Sequence, residues 1–226
     1  MLIKYIGHSC FKIMDAETGY SIIIDPYRNG SVQGYHDIVD SASEVLCSHE
    51  HDDHHGVECV NIEPKDESPF EVTWVDSYHD PEKGALRGPD RIHIITHKTT
   101  GEKVVHYGDV GEELDDLLRE ENLSKLKDAD IALVPCGGVY TLNRYQALEL
   151  IERTTPALVI PMHFRSERLG FDFPHIDSIE MFMDAAIEKG LRANVGQVCF
   201  VDNTQNDLKC DILALRPQNI LTKKVY

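Results

Sequence analysis

Within ten positions, Cys47 to Gly56, the chain reads CSHEHDDHHG: four histidines, one glutamate and two aspartates. A run of charged residues is ordinarily a solvated loop, but the spacing here argues for chemistry. His49-x-His51-x-Asp53-His54 offers three imidazoles and a carboxylate, donors that suit zinc, iron, manganese or nickel. Alternate side chains of an extended strand point opposite ways, so these histidines cannot share one strand face. A tight loop running into the first turn of a helix would divide them. His49 and His51 could then serve one ion while Asp53 and His54 turn to a second beside it.

Two ions need more donors than this loop carries, and other apolar runs end on them. FEVTWVDSY is followed by His79, KVVHYGD ends on Asp109, and ALVIPMH ends on His163. Gly108, just before Asp109, allows a close backbone approach. Ends of strands are where α/β proteins place their sites.

The elements that must position these donors are short and β-branched. LIKYIG, CFKI, SIIID, SEVLC, FEVTWVDSY, RIHIITH, KVVHYGD, ADIALVPC, ALVIPMH, QVCFVD and DILALR have the length and composition of strands, and turn residues separate most of them. Three segments predict helices. In 112–121, Leu114, Leu117 and Leu118 form an apolar stripe under an acidic face. Asn143 with Gln146 three residues later reads as a capping box for NRYQALELIERT. From Asp177, the residues Ile179, Phe182, Met183, Ala186 and Ile187 keep helical spacing up to a stop at Gly190. Strands first and strands alternating with helices later predict one layered α/β domain over 1–226. NIEPKDESP reads as a surface loop inside it, and the chain shows no internal repeat or low-complexity tract.

The ordered set His49-x-His51-x-Asp53-His54, His79, Asp109 and His163 resembles the metallo-β-lactamase superfamily over essentially the whole chain. The resemblance implies a four-layer αββα sandwich with the site at one edge of two sheets. It assigns His49, His51 and His79 to one metal, Asp53, His54 and His163 to the other, and Asp109 to a bridge between them. Asp53 and Asp109 would be the carboxylates that serve catalysis as well as binding. Flavo-diiron relatives carry Glu at the second imidazole position, so His51 points to hydrolysis rather than reduction of oxygen or nitric oxide. The words YIGHSCFKI, IIIDPY and VPCGGVYTLNRYQALELI are similar to the branch of ascorbate-6-phosphate lactonase and its metal-dependent hydrolase relatives. The chain is too short for the inserted domain of the RNA-processing and DNA-repair branch. Two ions, zinc first, with manganese or iron accepting the same donors, would share a hydroxide as nucleophile and polarise the bond it attacks.

Such a centre needs no serine or cysteine nucleophile, so Ser48 and Cys47 are given no catalytic role. Asp25, ending SIIID before a proline, matches a superfamily position near the site and is the candidate to hold the outer ring nitrogen of a metal histidine. A plain turn aspartate competes evenly with that reading. Of the other histidines, His8 in GHS is expected first to make a structural bond near a tight turn, with approach to the site as the alternative. His93, His97 and His106 are expected in surface or satisfied core positions, and His36 and His175 lack partner spacing. His55 and Asp52 flank the ligand positions. The segments after His79 and His163 would border the pocket and bring Arg87, Arg165 and Arg168. Each is expected to pair with an acid such as Asp90, Glu167 or Asp172, with Arg165 kept as a substrate candidate.

Lys plus Arg number 22 against 39 Asp plus Glu, a formal charge of −17. That surface repels phosphate backbones and acidic membranes. No apolar run approaches membrane-spanning length, and MLIKYIGHSC lacks the pattern of a signal peptide. A cytoplasmic protein with reduced thiols is expected, its six cysteines forming no Cys-x-x-Cys pair. The expectation is therefore a dinuclear hydrolase of a small-molecule lactone, ester or phosphodiester, without nucleic-acid or membrane partners and with homo-oligomers implied by the resemblance. The alternatives are a phosphodiesterase or nuclease of the same fold, and a non-catalytic metal-binding sensor.

Overall fold

A computed structural model describes residues 1–166, 169–172, 174–196, 200–202 and 211–220. The first half supplies β1 (Leu2–Gly7), β2 (Cys10–Met14), β3 (Ser21–Ile24), β4 (Ser41–Ala42), β5 (Glu44–Leu46), β6 (Asn61–Ile62), β7 (Phe70–Tyr78), β8 (Pro89–His97) and β9 (Lys103–His106). The second half alternates: α1 (Leu114–Leu117), α2 (Glu120–Leu126), β10 (Ile131–Pro135), α3 (Arg144–Thr154), β11 (Leu158–Met162), α4 (Ile179–Glu188), β12 (Ala193–Val195), β13 (Phe200–Asp202) and β14 (Ile212–Ala214). They form a five-stranded sheet in the order β13-β1-β2-β3-β5 and a seven-stranded sheet in the order β12-β14-β11-β10-β9-β8-β7. β4 and β6 pair separately.

The two sheets share one core because their strands alternate in phase. On the five-stranded sheet, Ile3, Tyr5, Phe11, Ile13, Ile22 and Ile24 face inward and join Ile92, Val104, Val105 and Ile131 of the other sheet. In β10 every residue is buried, as a strand with parallel neighbours on both sides requires. Ile6, Cys10 and Ile23 point the other way, into a second cluster with Tyr27, Val32, Tyr35 and Ile38. Among the described residues that outer face is covered by extended chain and one 3-10 turn, Val57–Cys59, while the α-helices contribute to the first cluster.

Two helices follow the sequence closely. Asn143 caps α3 by accepting from Tyr145 and Gln146 N–H groups, and the Gln146 side chain returns a bond to Asn143 N–H. α4 starts one residue later than its pattern suggests because Ser178, not Asp177, accepts the Met181 N–H. The predicted helix over 112–121 is instead broken into α1 and α2, with Arg119 extended between them. Breaking there seats Leu117 and Leu118 both in the core, and the Asn122 amide donates to the carbonyl that Leu117 would have left bare.

The edge that matters is where the strands stop. β1 leads into His8, β3 into Asp25, β5 into the 47–56 loop, β7 into His79, β9 into Asp109 three residues on, and β11 into His163. β3 runs parallel to β5, and β9, β10 and β11 run parallel to one another, so these ends gather on one side of the molecule.

Candidate metal centre

The 47–56 loop divides its histidines as the spacing demands, by a turn and not by the start of an α-helix. The His51 carbonyl accepts N–H groups from both His54 and His55, which reverses the chain between His51 and His54. His49, His51 and His79 then present ligand atoms all within 4.8 Å of one another, as do His49, His54 and Asp109, and as do His8, Asp53, His54 and His163. All seven metal positions expected from the sequence therefore meet. Asp109 lies at their middle: its Oδ2 is 3.1 Å from Nε2 of His54, of His79 and of His163. Asp53 Oδ2 is 3.6 Å from His54 Nε2 and 4.0 Å from His163 Nε2.

The unpartnered atoms show what this arrangement can hold. Nε2 of His49, His54 and His163 and Oδ1 of Asp109 are buried without a hydrogen bond. Leaving such atoms unsatisfied costs roughly 1–3 kcal/mol each, yet here several converge. Converging lone pairs on imidazole and carboxylate are what a divalent cation takes up, so the residues fit a metal centre.

Outer bonds fix which nitrogen faces inward. Asp25, fully buried, accepts the Ser48 N–H at 2.7 Å and the Ser48 hydroxyl at 2.7 Å, and its Oδ2 stands 2.8 Å from His54 Nδ1. A carboxylate there holds the proton on His54 Nδ1 and leaves the Nε2 lone pair for an ion. Ser48 Oγ extends the same device to His49, 2.9 Å from its Nδ1. Asp90 Oδ1 lies 3.3 Å from the same nitrogen and accepts the Asp109 N–H at 3.1 Å. Gly108, at φ +55°, makes that approach possible: a Cβ there would come within 2.5 Å of Asp90 Oδ1. His8 reaches the site as well as the turn. Its Nε2 is 3.1 Å from Asp53 Oδ2, its ring lies 4.3 Å from that of His163, and its carbonyl accepts the His163 N–H.

Charges are strongly coupled. Burial by itself raises the Asp109 and Asp53 carboxyls, but the histidines outweigh it: His163 and His54 hold Asp109 well below the carboxylate range, and His54 and His8 hold Asp53 below it. Burial lowers His54, and Asp109, Asp53 and Asp25 together overcome it and raise the imidazole well above its usual value. His79 is raised against its burial in the same way by Asp109. His8 goes the other way, down to about 4, through burial and the neighbouring His163. Metal ligands must be deprotonated, so uptake of an ion would release whatever protons the inner nitrogens hold.

Several residues fall outside the readings their sequence suggested. Among the described residues no arginine pairs with Asp90; it serves His49 and Asp109. Ser48 links Asp25 to His49, and His8 touches Asp53. The signal for Asp90 was available: it alternates in phase with the buried Ile92 and Ile94, an unusual place for an acid. His106 is a satisfied core histidine, with Nε2 at 2.9 Å from the Ser9 carbonyl and Nδ1 accepting the Gly108 N–H. His93 Nε2 donates to the Cys47 carbonyl. The segments after His79 and His163 do reach the rim. A cavity of about 560 Å³ beside the centre is lined by His49, His51, His55, Tyr78, Arg87 and Asp90, among others, and Phe171 lies 6.4 Å from the His163 ring. Arg165 donates its Nε–H to the Ile176 carbonyl; Arg168 lies outside the described residues.

Comparison with known proteins adds the following. A family model described as a beta-lactamase superfamily domain matches residues 2–163. A metal-dependent hydrolase of Hyperthermus butylicus is 30% identical over 201 residues, covering 73% of this chain and 83% of that protein. One from Desulforamulus reducens is 25% identical over 206 residues, covering 74% and 85%. Among solved structures, a Thermotoga maritima protein, a candidate Zn-dependent hydrolase of the metallo-beta-lactamase superfamily, superposes with a TM-score of 0.68 at 22% identity, covering 96% of this chain and 99% of that one. That likeness gives the fold: a two-sheet α/β sandwich.

Proposed function

The chain belongs to the beta-lactamase superfamily and is a metal-dependent hydrolase, and from that premise we propose that it cleaves a small-molecule lactone, ester or phosphodiester at a centre of two divalent ions. The observation that carries this reading is Asp109, whose Oδ2 lies 3.1 Å from ring nitrogens belonging to two different histidine sets. His49, His51 and His79 would hold one ion, Asp53, His54 and His163 the other, and Asp109 would span them. Zinc is the first choice for so many imidazoles. When bound, such ions lower the pKa of water toward ~7 and polarise the bond under attack.

The protein's own contribution is order. Asp25 and Ser48 keep the Nδ1 protons of His54 and His49 outward, so the inner lone pairs need no rearrangement to receive a cation. Asp90 fixes the backbone of Asp109 and the ring of His49 together. Burial of His54, His163 and Asp109 excludes bulk water from one side, while exposed His51 leaves the other side open to substrate.

The test is metal content by elemental analysis after purification without added metal and after reconstitution, beside His51→Ala, a variant whose site is exposed and whose fold should survive. A lactonase, esterase and phosphodiesterase screen follows on the same samples. About two ions per chain, with metal and turnover both reduced in the variant, support the proposal. A reconstituted wild type that holds one ion or none overturns the dinuclear centre, and one that holds two without turnover in any of the three assays overturns the bond class.

A further inference from the structure

The rim of the centre carries a cation that the chemistry of the ions does not use. The loop between β7 and β8 is folded onto a single buried carboxylate: Asp80 accepts backbone N–H groups from Glu82 at 2.9 Å, Gly84 at 3.1 Å, Leu86 at 3.1 Å and Arg87 at 2.7 Å. Four donors on one carboxylate give the loop one shape. They also fix its last turn, so Arg87 is delivered to the cavity it shares with His49 and His51.

The Arg87 guanidinium stands 5.4 Å from the centre of the Tyr140 ring. Tyr140 meets Phe171 at 5.5 Å, and Phe171 lies 6.2 Å from the ring of His8 and 6.4 Å from that of His163. A continuous wall thus runs from Arg87, beside one histidine set, across two aromatic rings to the other. Tyr140 is itself held, since its hydroxyl donates to Asp172.

On a chain of net charge −17, arginines generally find acids. Arg28, Arg91, Arg119, Arg144, Arg153 and Arg192 each sit against a carboxylate. Arg87 does not: among the described residues no carboxylate pairs with it. A cation–π contact of this kind holds a guanidinium near a ring without consuming its N–H donors. What remains is a planar, pre-placed fork beside a metal centre, with the geometry that carboxylate and phosphate take bidentately.

We propose that Arg87 anchors an oxyanion, a carboxylate or phosphate, that the substrate carries apart from the bond being cleaved. The proposal rests on the hydrolytic centre described above and narrows its substrates to anions. It also assigns the recognition role to the loop after His79.

Zinc-reconstituted wild type, Arg87→Gln and Arg87→Lys are titrated calorimetrically with the α,ω-dicarboxylates from malonate to adipate and with the monocarboxylates of matching length. One carboxylate of the diacid occupies the centre and the other is free to reach Arg87. At least one diacid should bind the wild type about tenfold or more tighter than its monoacid. In Arg87→Gln that advantage should fall to within about twofold, with monoacid binding unchanged, and Arg87→Lys should lie between. A diacid advantage that survives in Arg87→Gln, or a wild type that prefers no diacid in the series, overturns the assignment. Zinc content of the same samples reports separately on the centre: a wild type that takes up no zinc refutes the centre, whereas loaded samples with an unaltered preference refute Arg87 alone.

Discussion

Replacing Asp25 by Asn should weaken one metal site and spare the other, and the size of the effect follows from three bonds. Asp25 Oδ1 accepts the Ser48 N–H at 2.7 Å; Oδ2 accepts the Ser48 hydroxyl at 2.7 Å and faces His54 Nδ1 at 2.8 Å. An amide cannot put oxygen at both places. Keeping the Ser48 N–H satisfied turns the NH2 group toward His54, whose Nδ1 must then accept, and the imidazole proton moves to Nε2. That is the nitrogen 3.1 Å from Asp109, where the ion should bind. Changes to such outer partners typically cost 10–100-fold in metal affinity, about 1.4–2.7 kcal/mol. The backbone raises no objection, because Asp25 has φ +50° and Asn tolerates that region as well as Asp does. Zinc titration against a chromophoric chelator, with circular dichroism to confirm folding, should show the site of His54 weakened by this factor and the site of His49, His51 and His79 changed by no more than about threefold. Two unchanged sites, or equal weakening of both in a folded protein, would refute the tautomer argument.

Two further perturbations probe the scaffold. Asp40 receives Lys4 and Lys12, each at 2.8 Å; burial raises its carboxyl, and the two ammonium groups more than reverse this and hold it below the ordinary value. A depressed folded pKa gives stability that is complete above the unfolded value of ~3.9 and is lost as pH falls through the folded one. Asp40→Asn should therefore cost about 1–3 kcal/mol near neutrality, with the urea midpoints of the two proteins converging below about pH 4; a constant gap across pH would contradict this. Burial pushes the thiols of Cys10 and Cys136 well up and that of Cys47 to about 12. Iodoacetamide at neutral pH should label the buried Cys10 and Cys136 only after unfolding, as peptide mapping would show; labelling of either in the native state would mean that its burial is not maintained.

The residues that cluster at the candidate centre are legible in the sequence because they lie just beyond strands, and strand ends are marked locally by apolar runs. His79, Asp109 and His163 each close such a run. The capping box of α3 was equally local. Partnerships across the fold were not. Nothing near Ser48 in the chain says that its hydroxyl will join Asp25 to His49. The contact of His8 with Asp53, 45 residues away, depends on His8 adopting φ +57° after Gly7, a conformation that sequence does not declare. The break between α1 and α2 has no glycine or proline to announce it; it follows from packing Leu117 and Leu118. Arg87 departs from its expected partner for a related reason: composition predicts an acid beside it, and only the folded chain shows that Tyr140 stands there instead.

The loop carrying Arg87 has a further consequence for how such a protein can diverge. It is closed at its base, where the His79 N–H meets the Gly88 carbonyl at 3.2 Å and Tyr78 pairs with Pro89. Between those endpoints the loop is held chiefly by Asp80, with backbone turns from Glu82 to Ala85 and from Gly84 to Gly88 and an ion pair from Lys83 to Asp116. Mutations there can reshape the rim of the cavity while the clustered histidines and carboxylates stay where the strands put them. Inherited chemistry and changeable appetite are thus stored in separate stretches of the same chain, and a new preference could arise by exchanging one short hairpin tip as a unit.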